Sequence, residues 1–396
     1  MDFELTEDQK LLKDSAAQFT KSSPVSRMRK LRSHGLGGHG LGGHGGGHGG
    51  GVTEHDVGWE PAVWRQMAEL GWLGLFYPES AGGLGLSFFD LSLVLEELGK
   101  TLVPEPILAS VVLAGGAVLK AGSPEQQKRL LAPMAEGRTS LALAWAEKDG
   151  RYDAGRVTTT AKKEGGTWRL SGEKVWALNG HAADTLLVSA RTDAGVSLFA
   201  VPKGAAGLSI ESAKTMDGQR AARVRLADVV VPAEDLLGQE GAAVPAIEAA
   251  LDLAAAGACA EGFGIASTVL WMTVNYLQVR KQFNVPIGSF QVLQHRAVDM
   301  FVETELLKST AMLACVKAES EDAAERKRAV SIAKANLSTG GKLVVQQAVQ
   351  LHGGIGITDE HDVGLYFKRM SVLHALFGDE EHHLARLATL PSFEAV

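Results

Sequence analysis

Arg280-Lys281, followed closely by Phe283, sets two cations beside an aromatic plate in four consecutive residues. An arginine offers a planar fork of donors that suits phosphate oxygens, so the group fits a diphosphate next to an apolar ring. The same dipeptide is also the ordinary pattern of a solvated helix end, and alone it does not choose between the two. Gln350-Leu-His-Gly-Gly-Ile-Gly356 carries more information. Gly353, Gly354 and Gly356 let a backbone approach a ligand closely, and Gln350 adds an amide that both donates and accepts. Its competing reading is a glycine helix stop. Other nucleotide signatures are missing. Gly262-Phe-Gly264-Ile-Ala-Ser267 lies inside a helical pattern, has no strand before it and lacks the third glycine of a dinucleotide turn. Neither a Walker loop nor a Gly-x-Ser-x-Gly elbow occurs. Cys259 and Cys315 are the chain's two cysteines and both sit in apolar helical patterns. They exclude a disulfide framework or thiolate metal cage and read as buried structural residues.

The elements that must hold these segments can be read from periodicity. With 396 residues, 45% hydrophobic and 21% charged, the chain has material for two or three packed domains. Helical patterns run over Glu7 to Phe19, Pro61 to Leu70, Phe88 to Leu98 and Pro124 to Ala135, and Pro61 and Pro124 stand where a first helical turn tolerates a missing amide. From about Ser140 short period-two runs take over: Leu141 to Trp145, Trp168 to Ser171, Lys174 to Leu178, Thr185 to Ser189, Val196 to Val201 and Val224 to Val231. Glu164-Gly-Gly166 and Asn179-Gly180 between them predict antiparallel hairpins. After Pro232 long helical patterns return over Ala243 to Gln282, Ser289 to Ser320 and Asp322 to Gly353. The reading is an α+β fold, mainly α: a helical domain at 1–138, a β-domain at 139–235 and a four-helix bundle at 236–396.

Within the first domain, 33–58 holds a glycine- and histidine-rich tract with His34, His39, His44, His48 and nearby His55. It lacks the apolar surface to offset its backbone entropy and is expected to be a mobile loop. Without fixed geometry or a carboxylate within 33–51, no metal site is expected there. A net charge of −7 and an isoelectric point near 6.0 give no footprint for nucleic acid. The apolar runs look too short for a membrane span, and Met1-Asp-Phe-Glu lacks the pattern of a signal peptide, so a cytoplasmic protein is expected.

Several segments in order resemble the acyl-CoA dehydrogenase family across nearly the whole chain. They are Phe3 to Gln9, Pro78-Glu-Ser-Ala-Gly-Gly-Leu-Gly85, Lys174-Val-Trp-Ala-Leu-Asn-Gly180 with Ala183-Asp184, Arg280-Lys-Gln-Phe283, Pro286-Ile-Gly-Ser-Phe-Gln291, and Gln350 to Gly356. The resemblance implies FAD, an acyl-CoA substrate, an electron-transfer flavoprotein as acceptor, and assembly with a homologous subunit as a dimer or tetramer. It also implies a flavin site shared between subunits. Arg280, Phe283, Gln291, Gln350, Gly353 and Gly354 match the half lent to a neighbour, with Asn284 where a glycine is usual. Trp176 matches the tryptophan beside the flavin in the other half. That half departs from the pattern: Leu178 and Ala146 stand where hydroxyl residues usually meet the ring, and Tyr152 replaces a serine that touches pyrophosphate.

Family members desaturate a thioester between its α and β carbons. A carboxylate removes the α-proton while the β-hydrogen leaves as hydride to the flavin. The resemblance places that base at either of two positions, here Phe377 and Ala254, and neither can accept a proton. Asp252 lies about 200° around the helix from Ala254. Asp379, Glu380 and Glu381 read as the start of the last helix, where negative charge favours the dipole. The expectation is therefore a base-lacking subunit of a heteromeric dehydrogenase that completes a partner's FAD site. A self-sufficient homo-oligomer with a relocated base and a non-enzymatic acyl-CoA or flavin-binding regulator are the alternatives.

Overall fold

The computed structural model describes residues 4–33 and 57–391. The expectations for the histidine-rich tract at 34–56, and for Phe3, lie outside the described residues.

Local capping starts the helices where the sequence places them. Helix α1 (Glu7–Ser22) begins with a capping box in which Thr6 and Gln9 exchange side-chain and backbone bonds. Ser87 with Asp90 does the same for α4 (Phe88–Lys100), and Ser123 with Gln126 for α6 (Pro124–Ala135). Between them lie α2 (Val25–Ser33), α3 (Pro61–Glu69) and a buried apolar segment whose π-helical part (Ile107–Gly115) runs into α5 (Gly116–Ala121).

The middle of the chain is one sheet of β1 (Leu141–Ala144), β2 (Thr160–Glu164), β3 (Thr167–Leu178), β4 (Thr185–Thr192), β5 (Gly195–Pro202), β6 (Leu208–Lys214), β7 (Arg220–Pro232) and β8 (Leu236–Leu237). Their order is β6-β7-β3-β2-β4-β5-β8, with β1 beside β4. Gly165-Gly166 does close a hairpin, pairing Glu164 with Thr167. Three expectations are corrected. The runs Trp168–Ser171 and Lys174–Leu178 form one strand, interrupted by register shifts at Gly172 and before Ala177. Asn179-Gly180 is a turn but not a hairpin, because β3 and β4 have β2 between them. The sheet is not wholly antiparallel either: β1 runs parallel to β4, and β2 meets β4 in parallel at Thr160 and Arg191. The long excursion through β2 and β3 lets β1 and β4 share a direction, which a short turn forbids.

The last third comprises α7 (Ala243–Val279), α8 (Gln291–Lys317), α9 (Ala323–Asn336), α10 (Lys342–His352), α11 (Val363–Ala375) and α12 (Glu380–Ala388). Two expected helices differ in detail. The Asp322-to-Gly353 run is split by a π-helical turn at Leu337–Gly341. The first bundle helix stops at Val279, and Lys281–Gln282 then pairs with Val285–Pro286 in a two-stranded hairpin. Its turn residues Phe283 and Asn284 have φ of 55° and 64°, and asparagine tolerates that left-handed region at little cost. Asn284 is thus a workable replacement for glycine.

Helix α7 is long and apolar enough to cross a membrane, which corrects the expectation drawn from run length. Most of its apolar window is buried, however: α7 is the central strut of the molecule, contacting α4, α5 and α8. Gly264 explains the close crossing with α4, since a Cβ there would collide with the Glu96 carbonyl. The Gly262-Phe-Gly264 pattern serves helix packing. One apolar core joins the N-terminal helices to the bundle, and a second fills the sheet.

Candidate functional site

Side chains from all three parts of the fold enclose a cavity of about 590 Å³. Its lining includes Trp145, Ala146, Leu178, Trp176, Tyr152 and Phe377. The β3 bulge turns the backbone of Trp176 to a φ of 55° and leaves the indole exposed at the rim. Ala146 and Leu178 offer this space only hydrocarbon side chains. The loop after β1 is anchored by a buried ion pair: Lys174 Nζ donates to Glu147 Oε1 at 2.7 Å and to Ser189 Oγ at 2.9 Å. Burial alone would raise the Glu147 carboxyl, but bonds from Lys174, Thr158 and Thr159 outweigh it and hold it down to about 2. Farther along this loop Tyr152 Oη donates to the Ala375 carbonyl at 3.0 Å, and its ring lies 5.1 Å from that of His382. Tyr152 therefore ties the β-domain loop to the end of α11.

The turn from α11 to α12 carries Phe377 and is held from below. Lys334 is fully buried, and its Nζ donates to the carbonyls of Leu373 at 2.6 Å and His374 at 3.1 Å, capping the end of α11. Burial lowers this ammonium to about 8. Burial also pushes His383 down to about 2, so its ring is neutral. Nε2 then donates to the Phe377 carbonyl and Nδ1 accepts from Ser331 Oγ, each at 3.1 Å. Phe377 has a φ of 62°, in the left-handed region that disfavours an aromatic residue, and these bonds keep it there. The sequence reading did not single out Lys334 or His383; each looks like one polar residue in a helical pattern, and only the packing shows that it faces inward.

No side chain at the two expected base positions can take a proton. Phe377 lines the cavity, whereas Ala254 is buried in α7 and is not among its lining residues. Asp252 is buried between Arg326 and Arg386, which agrees with the helical geometry that turns it away from Ala254. Asp379 does line the cavity, but it serves as the N-cap of α12, accepting the His382 amide at 2.9 Å. Glu380 and Glu381 follow in the first turn of that helix. Both cysteines are buried, and burial pushes the Cys259 thiol up to about 12.

The remaining candidates gather elsewhere. Tyr276, in the last turn of α7, stacks on His352 with ring centroids 4.5 Å apart, and this joins the end of α7 to the end of α10. Arg280, Phe283, Gln291, Gln350, Gly353 and Gly354 are all exposed around that end of the bundle, and none of them lines the cavity at Phe377. Phe283 is 87% exposed, an unusual state for a phenylalanine with no role at a surface. Gly353, with a φ of 62°, and Gly354 face open space: a Cβ built on either meets no described residue within 4 Å. Both glycines leave room for something outside this chain to approach the backbone.

Models of the acyl-CoA dehydrogenase N-terminal, middle and C-terminal domains match residues 51–138, 142–229 and 241–389. The chain is 32% identical over 312 residues to the acyl-CoA dehydrogenase FadE12 of Mycobacterium tuberculosis, covering 76% of this chain and 80% of that protein. Among solved structures it is similar to butyryl-CoA dehydrogenase from Megasphaera elsdenii, with a TM-score of 0.86 and 26% identity over 98% of this chain and 99% of that one. It is also similar to a chain of the ChsE4-ChsE5 complex from Mycobacterium tuberculosis, with a TM-score of 0.85 and 27% identity over 99% of this chain and 100% of the other. Three domains matched in order, with that identity and coverage, place this chain in the acyl-CoA dehydrogenase family.

Proposed function

We propose that this chain is the base-lacking subunit of a heteromeric acyl-CoA dehydrogenase and that it completes the FAD site of a homologous partner. Members of the family are oxidoreductases acting on CH–CH bonds, with FAD as cofactor and acyl-CoA thioesters as substrates. One observation carries the reading: the two surfaces expected to share a flavin differ in kind. The inner cavity presents Ala146, Leu178 and Phe377 where hydrogen bonds and a base are needed, and Tyr152 is already bonded to Ala375. At Ala146 and Leu178 this cavity offers the polar edges of a flavin ring no side-chain hydrogen bond. The outer surface fits the other end of the cofactor, with a guanidinium, an exposed aromatic plate, two amides and a pair of glycines with space before them.

When bound at a partner's site, FAD supplies the acceptor for the β-hydride. This chain's residues supply binding alone: Arg280 would neutralise and fork onto phosphate oxygens, Phe283 would cover an apolar face, and the Gly353-Gly354 backbone would lie against the cofactor. The α-proton would go to a carboxylate of the partner. The similarity to a chain of the ChsE4-ChsE5 complex supports a heteromeric assembly. An electron-transfer flavoprotein as acceptor and a cytoplasmic location belong to the same proposal.

Arg280→Ala tests the assignment in the purified complex. Loss of a charge-assisted contact worth roughly 2 kcal/mol weakens FAD retention by about 30-fold. Unchanged flavin occupancy after dilution and gel filtration, with the subunits still associated, would overturn the role given to the bundle.

A further inference from the structure

The cavity beside Phe377 does not end there. It shares Leu178, Thr215, Val372 and Leu376 with a smaller cavity of about 60 Å³, set where the N-terminal helices, the sheet and the bundle meet. Three of the four dividing residues are aliphatic, and side chains of this kind part by rotamer change. Leu95, Leu98 and Ile107 give the small cavity an apolar side, and its opposite side is polar.

Asn179 stands on that polar side and is only 3% exposed. Its Oδ1 accepts from Trp59 Nε1 at 3.1 Å, while its Nδ2 has no hydrogen-bond partner among the described residues. A buried amide donor without an acceptor is costly, and native interiors leave few of them. The charged side chains that line this space are Glu105, Glu261, Arg220 and Arg369. Arg369 donates to Glu261 and to Asp217, each at 2.8 Å or less, and Glu105 is paired with Arg27. A carboxylate entering this space would lose its hydration beside two buried carboxylates, Glu105 and Glu261. A carbonyl or hydroxyl oxygen would satisfy Asn179 without that penalty, and the volume suits a terminal group of a few atoms.

We infer that this chain's cavity takes an acyl thioester whose far end carries an uncharged oxygen function, a keto or hydroxyl group received by Asn179 Nδ2. The apolar lining around Phe377 covers the chain, and the polar end selects it. The site belongs to this subunit's own interior, so it stands whether the flavin is held by this chain or by its partner.

Isothermal titration of the intact purified complex tests it, with saturated acyl-CoA thioesters over a ladder of chain lengths. Each is compared with the same chain bearing a keto group beside its terminal methyl, and with its ω-carboxylate counterpart. At one length the keto ligand binds roughly tenfold tighter than the plain one, and the carboxylate gains nothing. Asn179→Asp, made in this subunit only, keeps an acceptor for Trp59 and a residue that tolerates the φ of 57° at this position, but removes the donor. It brings the keto ligand down to the level of the plain one. Equal binding of keto and plain ligands at every length identifies a water-filled space and overturns the inference, even if Asn179→Asp fails to fold. So does a keto preference that survives the substitution, or a carboxylate that binds as tightly as the ketone. Flavin content of the same samples is read separately, so failure here is distinguishable from failure of the subunit assignment.

Discussion

Restoring a flavin grip to the inner cavity should be possible by three substitutions, Ala146→Thr, Leu178→Thr and Tyr152→Ser. Ala146 and Leu178 line the cavity and contribute no polar atom from their side chains, so each threonine adds one hydroxyl to its lining. Tyr152→Ser releases the loop from the Ala375 carbonyl and removes the ring packed on His382. A net hydrogen bond contributes about 1 kcal/mol, so two or three of them tighten FAD binding by about 2 to 3 kcal/mol, or roughly 30- to 150-fold. The positions share one cavity, and departures from additivity of about 0.5 kcal/mol or more are expected. Stability also falls: trimming half-buried Leu178 costs about 1 to 2 kcal/mol, and losing the Tyr152 bond about 1 kcal/mol more. The assay titrates FAD into the purified chain and follows flavin fluorescence, with a denaturant melt of each variant to show that it is folded. A folded triple variant that binds FAD within threefold of the wild type would refute the claim that these side chains bar the flavin.

Other consequences separate the outer surface from the interior. Phe283→Ala should change the stability of the isolated chain by less than about 0.5 kcal/mol, because the ring is exposed, yet weaken association in the complex as measured by sedimentation. Phe377→Glu alone should give no dehydrogenation of acyl-CoA thioesters by this chain, since the hydrocarbon contacts at Ala146 and Leu178 remain; turnover above background in a dye-reduction assay would contradict this. Glu147 has a folded pKa of about 2 against an ordinary 4.5, so the stability it contributes is fully present above 4.5 and is lost as pH falls towards 2. Acid unfolding of Glu147→Gln should therefore be flatter than that of wild type across this window, from a lower stability at neutral pH. His383, held neutral by burial, acts in the same direction from a higher starting point. Its unfolded form binds a proton below about 6.5 and the folded form does not until about 2. Stability should start to decline just below pH 6.5, and His383→Gln should reduce that early part of the loss in a urea titration, with His352, His374 and His382, lowered by burial in the same direction, supplying the rest.

Much of the fold was legible because local chemistry and tertiary structure agree. Pro61 and Pro124 begin helices, Asp379 caps α12, and the diglycine after Glu164 closes a hairpin. Strand β6 was missed because Leu208 to Lys214 carries little apolar surface at a sheet edge, where hydrogen bonding to β7 supplies most of what holds it. The parallel placement of β1 against β4 has no local signature, since it depends on the path of the intervening strands. The site shows the same division. Residue types gave the contrast between Phe377 and the Arg280 and Gln350 segments, and helical periodicity turned Asp252 away from Ala254. The supports of the Phe377 turn were invisible for a physical reason: a lysine in a helix normally faces water, and the two carbonyls that draw Lys334 inward come from a helix 39 and 40 residues later. Tyr152 reaching Ala375 spans 223 residues of sequence and could not be read from spacing.

Native mass spectrometry of the assembly purified from its own cell tests the central claim most directly, because it reads subunit identity and flavin count together. The account predicts this chain bound to a homologous chain that has a glutamate at one of the two base positions, with one FAD for each such pair. An assembly made of this chain alone, carrying one FAD per subunit and desaturating an acyl-CoA, would contradict it.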